Sequence, residues 1–318
     1  MQESKNAAIN NTLVSVIMPA YNAEKYIAES IQSVQQQTHS NWELIIIDDG
    51  STDDTKTLVL QFAKTDTRIK YFFQQNGKQG RARNNGIRQA SGNLIAFLDA
   101  DDLWLPEKLE KQILFIDSAK ADIVFADVMV IDEKRKKLKD SWGVQRKSYV
   151  GSSGIIAFLK ENKMPLLTVL AKKESIQKVN GFKESDEIQY GEDYELWLKM
   201  LQNNFAFAGS NEKLAIYRQH ETQSTKNTKA MLQVISMLSS LKVTGRELIA
   251  ERNKTICLWI RRFIKTSAGT LNKNDLALVI ACLPSVVRRK IFFFLNTIMS
   301  TGLVSKLVLL NCRSAIEK

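Results

Sequence analysis

"LIAFLDADDLW" (94–104) sets two demands that the rest of the chain must meet. An apolar run from Leu94 to Leu98 ends abruptly in Asp99, Asp101 and Asp102. A short apolar run of this kind suits a strand buried on both faces, as at the centre of a parallel sheet. Three carboxylates within four positions repel one another unless something cationic sits among them. The stretch therefore asks for a covered sheet and for a positive charge at its end.

Moving outward, the first half alternates strand and helix patterns. "LVSVIMP" (13–19), "WELIIIDD" (42–49), "IKYFFQ" (69–74), "NLIAFLD" (93–99) and "DIVFADVMVI" (122–131) read as strands. Between them, 23–37, about 53–64, 79–90 and a segment from about Pro106 read as helices, with proline suited to a first turn. This alternation predicts an α/β fold with right-handed crossovers and a mainly parallel, Rossmann-like sheet flanked by helices. Ligands in such sheets bind beyond the carboxyl ends of the strands. The sequence puts "PAYN", "DDGSTDDT" and "DADD" there. The stretch "DEKRKKLKDSWGVQRK" (132–147) reads as an exposed, charged loop.

Composition is that of a globular protein with a substantial core: 318 residues, 44% hydrophobic and 25% charged. The net charge of +11 is uneven. Residues 226–318 hold 16 Lys/Arg and 4 Asp/Glu, against 29 and 30 before them. Three scattered cysteines without CxxC spacing predict neither a disulfide framework nor a zinc site and suit a reducing compartment. With only His39 and His220, a multi-histidine centre is excluded. The polar start "MQESKNAAINNT" is not expected to be a secretory signal. The expected organisation is a polar extension (1–11), an α/β domain (12–224) and a helical, basic, amphipathic region (225–318).

Asp99 and Asp101, one residue apart where a strand turns into a loop, can both face one hard divalent ion. Mg²⁺ or Mn²⁺ takes oxygen ligands and shares its other positions with phosphate and water. Solvated acids before a helix give the same pattern. What separates the readings is the company: "VSVIMPAYNAEKYIAESIQSVQQQT", "ELIIIDDGSTDDT", "GRARNNGI", "GNLIAFLDADD" and "GEDYELWLKM" follow in order. Across residues 12 to 222 this set resembles the family 2 glycosyltransferases, which use the GT-A fold and invert the anomeric centre.

The resemblance implies roles for individual residues. Pro19, Tyr21 and Asn22 line a nucleotide pocket, Tyr21 covering a base face. Asp49 accepts the imide N–H of uracil, while Asp48, Gly50 and Ser51 shape the turn. Arg83, in the "ARN" signature, lies near the nucleotide. Asp99 and Asp101 form a DxD pair holding Mn²⁺ or Mg²⁺, with Asp101 the direct ligand and Asp99 on ribose or metal. His220, in "YRQHETQS", completes the metal shell or meets the diphosphate. Asp193 is the base that deprotonates the acceptor, and Glu192 orients it. Lone readings remain open for several of these: helix-start acids at 192 and 193, a loop tyrosine at 21, a surface histidine at 220. His39 is expected to be structural.

No QxxRW motif and no long multi-span region follow, so single-sugar addition is expected rather than polymer extrusion. The tail mixes apolar runs with Lys and Arg, and Pro284, the basic triplet at 288–290 and Asn296 interrupt the runs. None reaches the roughly 20 residues a spanning helix needs. Helices lying on an anionic membrane surface are expected, with a packed subdomain or dimer contact as the other reading; no nucleic-acid motif is present. The expected activity is metal-dependent, non-processive transfer from a UDP-sugar to a lipid-linked saccharide. It would take place at the cytoplasmic face of the membrane, peripherally, in bacterial surface polysaccharide (O-antigen or capsule-like) synthesis. Two alternatives are weighed. A sugar-nucleotide pyrophosphorylase would carry a Gly-rich basic loop where "PAYNAEKY" stands. An inactive glycosyltransferase-like binding module would be expected to lack Asp101 or Asp193.

Overall fold

The computed structural model describes residues 11–185, 187–220, 228–267 and 272–285, with Val308 and Cys312. The described residues divide into two compact units. The first comprises residues up to 154, 162–184 and 193–222; the second comprises 155–161, 185–192 and 223 onward.

The first unit is built on one ten-stranded sheet. Its strands are β1 (Val14–Ala20), β2 (Trp42–Asp48), β3 (Ile69–Phe73), β4 (Leu94–Phe97), β5 (Leu103–Trp104), β6 (Ile123–Asp132), β7 (Lys137–Lys139), β8 (Lys147–Tyr149), β9 (Leu170–Lys172) and β10 (Phe207–Gln219). The order across the sheet is β3-β2-β1-β4-β9-β6-β10-β5, with β7 beside β6 and β8 beside β10. Every residue of β1 and β2 is buried, as central strands with helices on both faces require. Parallel pairing joins β3, β2, β1 and β4, and also β6 and β10.

Five strands outside the expected βαβ series, β5 and β7 to β10, complete the sheet. The three residues of β9 run antiparallel to both β4 and β6 and splice the two parallel halves. Strand β10 is the longest, at 13 residues. The 132–147 passage is not a plain loop: it contributes β7 and β8. A run this rich in Lys can pair because it sits at sheet margins, where one face stays in water.

The helices are α1 (Ile27–Gln35), α2 (Thr55–Thr65), α3 (Lys78–Gln89), α4 (Lys108–Ser118), α5 (Gly151–Lys160), α6 (Lys173–Lys178) and α7 (Glu192–Gln202). α1 starts four residues later than its apolar spacing predicts. Thr55 Oγ1 accepts from the Ala23 N–H at 2.8 Å and Asp53 from the Glu24 N–H at 3.0 Å. Both amides are thus satisfied before the helix begins, and the preceding turn is held open. α3 is poor in apolar residues and packs instead by closeness: a Cβ at Gly86 would lie 2.4 Å from Ile17 Cγ2 on β1.

α4 is anchored by three polar groups. Trp104 Nε1, Gln112 Nε2 and Lys108 Nζ donate to the carbonyls of Leu167, Thr168 and Val169 at 2.7, 2.6 and 3.3 Å. Lys108 is wholly buried with its Nζ 3.8 Å from the Trp104 ring centre, and burial pulls its pKa well down. These bonds fix the turn that feeds β9.

The second unit contains α8 (Thr228–Ser240), α9 (Arg246–Thr266) and α10 (Lys273–Cys282). Its core includes Ile235, Leu238, Ile256, Ile260, Phe263 and Val279. Gln233 Oε1 receives the N–H groups of Gln189 and Tyr190, both at 2.9 Å. Among the described residues no helix is long and apolar enough to cross a membrane. The basic triplet at 288–290, the aromatic run after it and Asn296 lie outside the described residues.

Candidate functional site

The carboxyl ends of β1, β2 and β4 lie along one edge, because these strands are parallel neighbours. Two antiparallel pairings through β9 turn β6 to the same direction, and β10 runs parallel to β6. The site is assembled along this edge.

At β1, Pro19 and Ala20 end the strand and Tyr21 stands 55% exposed. Asn22 has φ +48°. Its N–H donates to Ser51 Oγ at 3.0 Å, and its Oδ1 accepts from the Thr52 N–H at 2.9 Å. Asn22 therefore stitches the β1 and β2 loops together, which leaves Tyr21 projecting between them. Asp48 serves the turn: its carboxylate accepts from the Ser51 N–H at 2.8 Å and the Tyr71 hydroxyl at 2.6 Å. Burial and this hydrogen bond to Asp48 push the Tyr71 pKa up. Asp49 is buried, and its Oδ1 accepts from Gln74 Nε2 and the Gly77 N–H, both at 2.7 Å. Gly50, at φ +85°, takes a backbone conformation that a side chain would strain.

At β4, Arg83 and Asp99 form an ion pair at 2.8 Å, with Arg83 only 2% exposed. The guanidinium lies 5.6 Å from the Phe182 ring centre. Asp101 Oδ2 lies 2.8 Å from His220 Nε2. Asp102 is buried beneath them and accepts from the Arg218 N–H at 2.8 Å. Burial, then the charges of Asp101 and Asp99, push the Asp102 carboxyl well above the usual range. The positive charge that the opening stretch demands is partly supplied by the Arg83 guanidinium, while the Arg218 N–H gives Asp102 a hydrogen bond.

Asp193 belongs to the same electrostatic cluster. Burial raises its pKa, Arg83 opposes the rise, and Asp99 adds to it. Asp193 Oδ1 accepts its neighbour Tyr194's N–H at 2.6 Å. Glu192, the first residue of α7, is 3% exposed. The turn before it needs Gly191 at φ +85°. His39 lies apart, its Nε2 at 2.9 Å from the Thr12 carbonyl.

Asp101 and His220 present one oxygen and one nitrogen donor side by side. Among the described residues no group of three or more His, Cys, Asp or Glu side chains is arranged to hold an ion alone. The pair fits an ion that draws its other ligands from phosphate and water, the habit of Mg²⁺ and its relatives.

Several supporting residues escape a reading of the sequence. Glu29 bridges Arg218 and Arg135, each at 2.7 Å, and Arg218 foremost holds its carboxyl below the usual range. Asn84 clamps the Phe182 backbone, accepting from its N–H at 2.9 Å and donating to its carbonyl at 2.8 Å. The available signal was a polar residue at a core-facing position of a helix.

The "Glycosyl transferase family 2" model matches residues 15–169. The chain is 31% identical over 243 residues to the putative teichuronic acid biosynthesis glycosyltransferase TuaG of Bacillus subtilis, covering 73% of this chain and 92% of TuaG. It is 37% identical over 199 residues to the Escherichia coli UDP-Glc:alpha-D-GlcNAc-diphosphoundecaprenol beta-1,3-glucosyltransferase WfgD, covering 62% of this chain and 72% of WfgD. The crystal structure of S. aureus TarS 1–349 in complex with UDP-GlcNAc superposes with a TM-score of 0.64 at 18% identity, covering 96% of this chain and 90% of that one. The fold is GT-A, and the chain belongs to glycosyltransferase family 2.

Proposed function

We propose that this chain is an inverting, metal-assisted glycosyltransferase that adds one hexose or N-acetylhexosamine from a UDP-sugar to a lipid-linked saccharide. Its setting would be bacterial surface-polysaccharide synthesis at the inner face of the membrane, with residues 12–224 catalytic and 225–318 a basic helical region that meets anionic lipid. The observation that carries the reading is Asp101 beside His220 at 2.8 Å, two residues beyond Asp99 of the Arg83–Asp99 pair. Two relatives support it: WfgD takes glucose from UDP-Glc to a diphosphoundecaprenol-linked sugar, and TarS binds UDP-GlcNAc.

In this mechanism Asp49 accepts the uracil imide N–H on the oxygen not used by Gln74 and Gly77, and Tyr21 covers the base. Pro19 and Asn22 shape that pocket. Arg83 steadies Asp99, whose other oxygen meets the ribose or the ion. Asp101 and His220 would hold Mn²⁺ or Mg²⁺, which would supply positive charge for the leaving diphosphate. Asp193 takes the proton of the acceptor hydroxyl, with Glu192 orienting the acceptor. The acceptor oxygen then bonds to the anomeric carbon as that carbon's bond to the UDP oxygen breaks, on opposite faces, so configuration inverts. Titration calorimetry of UDP with and without Mn²⁺ tests the assignment. Metal-dependent binding is expected in the wild type and its loss in Asp101→Ala; a folded wild type that binds no UDP in either condition overturns it.

A further inference from the structure

The 132–147 passage is built more firmly than its composition suggests. Asp132 Oδ1 accepts from the N–H groups of Lys134 and Lys136 at 2.9 and 2.8 Å, and its own N–H donates to the Lys136 carbonyl at 2.9 Å. Arg135 takes φ +63° in the tight turn this makes. β7 then returns along β6, with Lys139 opposite Val130. Asp127, buried in β6, accepts from the Trp142 N–H at 2.8 Å and from the Ser141 hydroxyl. Beyond it Val144 is buried, and β8 pairs with β10.

What this frame displays is cationic and partly apolar. The passage holds seven Lys/Arg against three Asp/Glu. Glu133 pairs with Lys25, and Asp140 with Lys137 and Lys213. Lys134, Lys136 and Lys139 are exposed, and no ion pair is found for them among the described residues. Beside them stand Leu138, 47% exposed, and Trp142, 41% exposed. Lys139 Nζ lies 6.0 Å from the Trp142 ring centre, and that ring meets Tyr217 edge-on at 5.6 Å. An exposed Trp among lysines is the pattern of a side-chain set seated at a lipid–water boundary.

The hairpin also springs from the site edge. It leaves the carboxyl end of β6, and Arg135 reaches Glu29, which holds Arg218, whose N–H holds Asp102. Tyr217 lies three residues before His220 on the same strand end.

We propose that the hairpin Asp132–Lys147 is a docking surface for an anionic phospholipid headgroup layer, with Lys134, Lys136 and Lys139 meeting the phosphates and Trp142 entering the boundary. It goes beyond the tail contact proposed above and needs neither the donor nor the metal assignment. Charge complementarity selects the occupant: three unpaired cations on one frame suit a continuous anionic plane better than an apolar partner. The consequence is positional, since a bilayer under this hairpin lies at the sheet edge that carries the site.

The test is co-sedimentation of the full chain with vesicles of phosphatidylcholine alone and of phosphatidylcholine with phosphatidylglycerol. A cation near an anionic surface contributes about fivefold to partition, so reversing three is expected to lower binding by roughly tenfold or more. The variants are Lys134→Glu/Lys136→Glu/Lys139→Glu, the milder triple Lys→Gln, and Arg261→Glu/Arg262→Glu on α9, each checked by thermal melting. Brominated lipid is expected to quench fluorescence in the wild type, and less so in Trp142→Phe. Selective loss in either hairpin triple, together with Trp142-dependent quenching, supports the proposal. Wild-type partition in both triples, equal binding to neutral vesicles, or a change confined to self-association without lipid overturns it. UDP titration on the same preparations keeps this outcome separate from the fate of the donor assignment.

Discussion

In the proposed mechanism Asp193 and Asp49 divide the labour at the site, and single substitutions would separate them. Asp193→Asn keeps size and removes basicity, so kcat is expected to fall by about 10²–10⁴ with UDP affinity unchanged, read by steady-state kinetics beside calorimetry. Asp49→Asn keeps an oxygen for Gly77 and Gln74 but loses the charge that would face the imide. UDP binding is then expected to weaken by about 1.5–3 kcal/mol with little change in melting. Away from the site, Asp66 shows how a carboxylate contributes to stability. Arg68 binds it by two hydrogen bonds and holds its pKa down to about 2. A depressed folded pKa gives stability that is present above the unfolded value near 4 and is lost as pH falls toward 2. Asp66→Asn is therefore expected to unfold at lower denaturant than wild type at pH 7 and to match it near pH 2. A constant gap across that range would contradict the assignment.

At the scale of elements, α3 is the one to perturb. Gly86→Ala improves helix propensity by up to about 1 kcal/mol. The new methyl would nevertheless sit 2.4 Å from Ile17 Cγ2, against a fully buried strand. Overpacking of this kind costs about 1–3 kcal/mol, so a net loss of stability is expected in chemical denaturation, with weaker UDP binding because Arg83 rides on the same helix. Strands β1, β2, β4 and β6 were legible in the sequence because they are largely buried and mainly apolar; β3, at the sheet edge with only Ile69 buried, was legible from its aromatic run. β9 was not: three residues chosen by neighbours from distant parts of the chain carry no period. β10 was hidden for another reason, since its burial follows no regular period and its register shifts between Gly209 and Ala215. At the site, the acids were legible as clusters, whereas Glu29 and Asn84 matter through partners that only folding brings near.

For the molecule as a whole, the two units can be followed separately. All three cysteines are buried, and all lie in the second unit. A thiol reagent thus reports opening of that unit alone. Labelling of the native chain is expected to be slower than in denaturant by about a hundredfold or more, as for groups exposed only by sub-global opening. Labelling at the unfolded rate would mean that the helices of this unit are not stably packed. The charge asymmetry of the sequence belongs to the same scale: the excess sits in residues 226–318, while the hairpin adds a local one within a nearly neutral stretch before them.

The splice made by β9 has a consequence for how the chain is born. The edge of β4 is complete once Phe97 has been made, yet its partner begins at Leu170. At synthesis rates of about 5–20 residues per second, that edge waits roughly 4–15 s on the ribosome. Until the splice arrives, β4 and β6 each lack a partner on the side that β9 covers, leaving open, apolar margins of the kind that chaperones bind and that nascent chains exchange with one another. A strand of three residues thereby sets the interval in which this protein most needs protection.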